Sequence, residues 1–113
     1  MTEVPGDIAE CFERNGWGIR KFHGQTIIFL SRDLGDRIGN EELYKMCIKV
    51  WTEEKLRDFG FREMTHGLEK DFYKYDIVYT IEVPPSRRIV DGKPTPDDML
   101  AEIFVYRIKN YEK

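Results

Sequence analysis

The stretch Leu43-Tyr-Lys-Met-Cys-Ile-Lys-Val-Trp51 decides the fold, because it satisfies two periodicities at once. Read with a strand's alternation, Tyr44, Met46, Ile48 and Val50 share one face, and Lys45, Cys47, Lys49 and Trp51 share the other. Read as a helix capped by Asn40, Lys45, Lys49 and Thr52 fall into a polar stripe. The residues that follow tip the balance. Thr52-Glu53-Glu54 is a helix-start signature, a hydroxyl to cap and two acids on the positive end of the dipole, and a start there requires a non-helical residue before it. The stretch is therefore expected as a strand, with one long helix over 41–59 as the alternative.

Working outward, Gly60 supplies the left-handed residue that closes the helix begun at Thr52, and Phe61 is placed to cover Leu56. The same device stands near the N-terminus. Asp7 and Glu10 form a capping-box-like start, Ile8, Cys11 and Phe12 give an apolar stripe running to Asn15, and Gly16 sets Trp17 back onto Phe12. Residues 17–22 and 26–31 read as strands around the turn His23-Gly24-Gln25, and a charged loop runs over 32–40. Phe61–Met64 is a short strand and Thr65–Glu69 a turn.

Residues 71–83 read as one half-buried strand, with Tyr73, Tyr75, Ile77, Tyr79, Ile81 and Val83 on the core face. Phe72, Lys74, Asp76, Val78, Thr80 and Glu82 take the other. Pro84-Pro85 ends it. Thr95-Pro96-Asp97-Asp98 then opens a last helix that carries Leu100, Ile103, Phe104, Ile108 and Tyr111 inward.

The expected fold is α+β: one domain over 1–113, an antiparallel sheet with helices packed on one face, in the order α-β-β-β-α-β-β-α. That order, with its helix–Gly–hydrophobic–strand junctions at Gly16-Trp17 and Gly60-Phe61, resembles the fold of type III secretion chaperones. The resemblance lies in element order alone and implies a dimeric binding module for other polypeptides.

Composition narrows the function classes. With 41% hydrophobic and 35% charged residues the chain can bury a core, and the longest apolar runs, Ile27–Leu30 and Ile103–Tyr106, are far too short to cross a bilayer. Its 18 basic and 21 acidic residues are interspersed, so no half is basic, which disfavours a phosphate-gripping surface. Polarity comes from ions rather than amides, a pattern reported for proteins of hot environments. The N-terminus lacks the basic start and apolar run of a signal peptide, and Cys11 and Cys47 form no metal-spaced pair, so a cytoplasmic location with reduced thiols is expected.

No nucleotide loop or nucleophile elbow occurs, because Gly16-x-Gly18 follows a helix where a dinucleotide site needs a strand. No cofactor is expected. The leading reading is a small non-catalytic interaction module, a homodimer or a binder of a polypeptide partner, acting through a sheet face or edge. If Tyr73 to Val83 line the core, the far face shows Phe72, Val78, Cys47, Trp51 and one of the sets Ile27/Phe29 or Ile28/Leu30, and contiguous exposed apolar area marks interfaces. The alternative is RNA or anion binding through the basic 84–94 loop, with Arg87, Arg88 and Lys93, and through Arg20 and Lys21. A second alternative is a metal-dependent enzyme in which two turns present His23 and His66 together.

Overall fold

A computed structural model describes residues 3–31, 39–67, 69–83, 89–90, 93–94 and 99–108. Helix α1, Gly6–Arg14, is followed by β1, Gly18–Phe22, and β2, Gln25–Ser31. Helix α2, Glu41–Asp58, leads to β3, Arg62–His66, β4, Glu69–Lys74, and β5, Ile77–Glu82. A two-residue-strand hairpin, β6, Ile89–Val90, with β7, Lys93–Pro94, precedes β8, Met99–Arg107. Six strands form one antiparallel sheet in the order β1-β2-β8-β5-β4-β3. The last strand is therefore central: it joins the β1–β2 hairpin to the β3–β4–β5 meander, pairing β2 on one side and β5 on the other.

Both helices pack on the same face. Ile8 and Phe12 of α1 and Ile48 and Leu56 of α2 share one core with Ile28, Phe72, Ile77, Tyr79, Ala101, Ile103 and Val105 of the sheet. This is the α+β class, with an antiparallel sheet and helices on one side, that the pattern leads one to expect. Both glycine stops form as well. Trp17 N–H donates to the Phe12 carbonyl and Gly16 N–H to Glu13, and Phe61 and Gly60 repeat the pattern on Leu56 and Arg57. Gly16 and Gly60 hold φ of 90° and 89°, a conformation that favours glycine.

Four expectations are corrected. The strand expected over 43–51 is absent, because Glu41–Asp58 is a single helix of 18 residues, over the range of the alternative assignment. Asn40 caps it, its side chain accepting from Leu43 N–H at 3.1 Å. Thr52, expected as a helix start, sits wholly buried in mid-helix, where its hydroxyl donates to the Ile48 carbonyl at 2.8 Å. Its hydroxyl caps nothing. The resemblance in element order to type III secretion chaperones ends here.

The long strand over 71–83 is instead two strands. Lys74 pairs with Ile77 around a Tyr75-Asp76 turn in which Tyr75 takes φ 56°. The helix expected after Thr95 is replaced by β8. Its residues alternate, Ala101, Ile103 and Val105 lying beneath the helices, and burial between β2 and β5 outweighs the local start signal, whose residues 95–98 lie outside the described set. The first helix also begins before Asp7, with Pro5 at its N-cap and no side-chain cap; Asp7 stands in its first turn.

The segment ahead of α1 is pinned by one residue. Tyr79 donates its hydroxyl to the Glu3 carbonyl at 2.7 Å, Thr26 donates to the Glu3 carboxylate at 2.7 Å, and Arg107 lies 3.8 Å from it.

Candidate functional site on the open sheet face

In an antiparallel sheet, directly opposed residues project from the same face, so the register sorts every side chain. Opposite the helices, one row reads Arg20, Ile27, Phe104, Thr80, Asp71, Met64 across the whole sheet. A parallel row reads Tyr106, Val78, Tyr73, Arg62, and another reads Gly18, Phe29, Glu102, Glu82. Phe22 continues this face at the β1 edge. Phe22, Tyr106 and Met64 are 55%, 41% and 47% exposed. Among the described residues, no helix packs on this side. The result is a band of aromatic and aliphatic groups, exposed at Phe22, Tyr106 and Met64, half-buried at Phe29, Tyr73, Val78 and Phe104, and buried at Ile27.

Charged residues share that face. The Arg20 guanidinium lies 4.9 Å from the Phe29 ring centre and 5.9 Å from that of Phe22, covering both rings. Phe29 in turn lies across Gly18, where a Cβ would come within 2.5 Å of the ring. Thr80 donates to Asp71 at 2.8 Å, and Glu82 and Glu102 are cross-strand neighbours. Arg20 and Arg62 thus stand on the two edge strands, and Asp71, Glu82 and Glu102 on strands between them.

The sequence-derived candidates distribute unevenly. Val78 stands on the open face. Phe72 lies opposite Tyr79 on the helix side and is fully buried. Trp51 packs between the helices, edge-on to Phe12 at 5.4 Å and stacked on Trp17 at 6.3 Å. Cys47 is exposed on α2. Of the two β2 alternatives, Ile27 and Phe29 lie on the side opposite the helices, Ile27 buried and Phe29 half-buried.

Arg20 and Lys21 point to opposite faces, Arg20 opposing Ile27 and Lys21 opposing Thr26. Arg87, Arg88 and the Lys93 side chain lie outside the described residues. His23 occupies the β1–β2 turn with φ 50°, its ring 4.3 Å from Phe22. His66 ends β3 and lies 3.6 Å from Asp71. Those strands are opposite edges of the sheet and the two turns lie at opposite ends, so the histidines occupy diagonal corners. Among the described residues, no group of three or more His, Cys, Asp or Glu is placed to hold a metal ion. No helix among them is long and apolar enough to cross a membrane.

Phe22, Phe104, Tyr106, Tyr73 and Met64 were not anticipated on this face. The signal for two of them is present in the sequence: Glu102, Phe104 and Tyr106 alternate with Ala101, Ile103 and Val105, a period that a helix does not have.

On the helix side, the charged groups serve the fold. Arg57 donates through Nε to Glu63, and this hydrogen bond, with the charges of Arg57 and Lys70, holds the Glu63 carboxyl below its ordinary range. Lys74 donates to the Phe59 carbonyl at 2.9 Å and so caps the end of α2. Beside it a cleft of about 140 Å³ opens between Ile8, Phe61 and Ile77.

No protein-family model matches the chain, nor does any curated protein or any solved structure.

Proposed function

We propose that this chain is a non-catalytic interaction module that receives a polypeptide partner on the open face of its sheet. One observation carries the reading: the face opposite the helices is an aromatic and aliphatic band. With strands about 4.8 Å apart and about 17–20 Å long, six of them span a face of about 400–500 Å², polar residues included, and contiguous exposed apolar groups on such a face mark function. Its anatomy is that of an interface, with Tyr and Phe at the centre and arginines on the two edge strands.

The RNA reading draws less support. The described basic pair is split between two faces, and Arg20 and Arg62 share the open one with Asp71, Glu82 and Glu102, a balance that does not attract phosphate. The experiment is a comparison of the wild type with Phe22→Glu/Tyr106→Glu. Both positions are solvent-exposed, so the variant keeps its circular dichroism spectrum and melting profile. It is expected to lose the polypeptide that co-purifies with the wild type in fixed proportion; equal retention by the two proteins overturns the proposal.

A further inference from the structure

The outward face of the first half of α2 carries the wrong chemistry for a solvated helix, whereas its second half shows Glu54, Arg57 and Asp58. Leu43, Met46, Cys47 and Val50 recur at i, i+3, i+4 and i+7 and so form one stripe. Leu43, Met46 and Val50 are 55%, 62% and 49% exposed, and Cys47 is exposed among them. The polar residues Lys45, Thr52 and Glu53 lie on the inward side instead. An amphipathic helix packed on a sheet normally has the reverse arrangement.

The flanks of the stripe indicate what covers it. Glu42 and Lys49, two turns apart, run along one flank, and Tyr44 and Trp51, also two turns apart, run along the other. Consider a second copy of α2 laid antiparallel, with the two-fold axis passing between Met46 and Cys47. Leu43 of one copy then lies level with Val50 of the other, and Met46 with Cys47. At about 1.5 Å per residue, Glu42 comes within about 3 Å of the height of Lys49 of the second copy. On the opposite flank Tyr44 is exposed, whereas Trp51 is committed to Phe12 and Trp17 of its own chain. The two-fold repeats each pair, so the surface is complementary to itself. A parallel second copy would turn the Glu42–Lys49 flank of one helix towards the Tyr44 flank of the other and leave both ion pairs unmade.

We propose that α2 is a dimerisation helix: two copies of this chain pair antiparallel through Leu43, Met46, Cys47 and Val50, with reciprocal Glu42–Lys49 ion pairs setting the direction. This contact is separate from the open sheet face and does not rest on the reading of that face. With helix axes about 8–10 Å apart, the two Cys47 side chains lie on the same side of the seam, within reach of a short thiol-to-thiol linker.

The test is sedimentation equilibrium of the full chain up to about 200 µM, with Cys11 replaced by Ser for the linker arm. The wild type is expected to dimerise, Met46→Glu to weaken dimerisation by about tenfold or more, and Glu42→Lys and Lys49→Glu to weaken it by about fivefold each. Glu42→Lys/Lys49→Glu together should return to within about twofold of wild type, since the reversed charges pair again. A short bismaleimide should join Cys47 to Cys47 in the wild type and not in Met46→Glu. All of these positions are exposed, and unchanged melting profiles establish that the variants fold. A chain that is monomeric throughout overturns the proposal, as does a dimer indifferent to Met46→Glu or a double reversal no better than the single ones. A dimer lost in Phe22→Glu/Tyr106→Glu but kept in Met46→Glu moves the contact to the sheet face and also overturns it.

Discussion

Phe72 and Tyr79 stand directly opposite each other across β4 and β5, both wholly buried beneath the helices. Along one strand, residues seven apart would project to opposite faces. The turn at Tyr75-Asp76 puts them on the same one, and it thereby sends Tyr73 and Val78 outward with Tyr106. The composition of the open face follows from that turn.

Tyr79 also fastens the chain's first described segment. Burial pushes its phenol above the ordinary tyrosine range, and the carboxylates of Glu3 and Asp7 push it further. Tyr79→Phe removes the hydrogen bond to Glu3 and is expected to cost about 1 kcal/mol, or about 4–5 °C in Tm. A raised phenol favours the neutral form in the folded state, so its contribution is complete below the ordinary pKa of about 10 and is lost as pH climbs from there through the raised value. Denaturant melts from pH 7 to 11 check this: the gap between wild type and Tyr79→Phe holds to about pH 10 and narrows above it.

Gly18 is kept small by Phe29. An added Cβ would meet the ring at 2.5 Å, so Gly18→Ala must displace the ring and draw it away from Arg20. Overpacking of this kind costs about 1–2 kcal/mol. In a Phe29→Val background the same change should cost less than half as much, measured as a double-mutant cycle by thermal unfolding.

Glu63 makes acid sensitivity testable at one residue. The hydrogen bond from Arg57 is the leading cause of its depressed carboxyl; desolvation opposes it, and the charges of Arg57 and Lys70 add to the lowering. A depressed carboxyl stabilises the fold above the ordinary carboxylate pKa, and that contribution disappears as pH falls through the folded value. Glu63→Gln is therefore expected to be less stable than wild type at neutral pH. The difference should vanish in melts taken well below about pH 4.

Much of this fold was legible in the residues: the first hairpin around His23-Gly24, both glycine helix stops, and an antiparallel sheet with helices on one side. The failures have specific physical causes. Helix α2 hides its period because Lys45, Thr52 and Glu53 point in while Leu43, Met46 and Val50 point out, so its apolar stripe marks the solvent side. Thr52 then misleads again, since a hydroxyl bonded one turn back inside a helix looks in sequence like a cap.

The hairpin at Tyr75-Asp76 lacks the glycine that usually announces a tight turn, and without it the inward and outward sets of β4 were exchanged. An unbroken alternating strand therefore predicts Phe72 on the outer face, and it lies in the core. Of the four partner-binding residues expected, Val78 alone reaches the open face, because the reading of that face depended on a strand at 43–51 and on an unbroken strand at 71–83.

The central claim is that the open sheet face receives a polypeptide, and a photo-crosslinking scan in cells of the source organism tests it most directly. Benzoylphenylalanine is placed singly at Phe22, Val78, Tyr106 and Met64 on that face, and at Lys21 and Glu63 on the helix side. The account predicts one common polypeptide adduct from the open-face positions and none from the helix-side pair. Adducts from the helix side alone, or none from any open-face position, would contradict it.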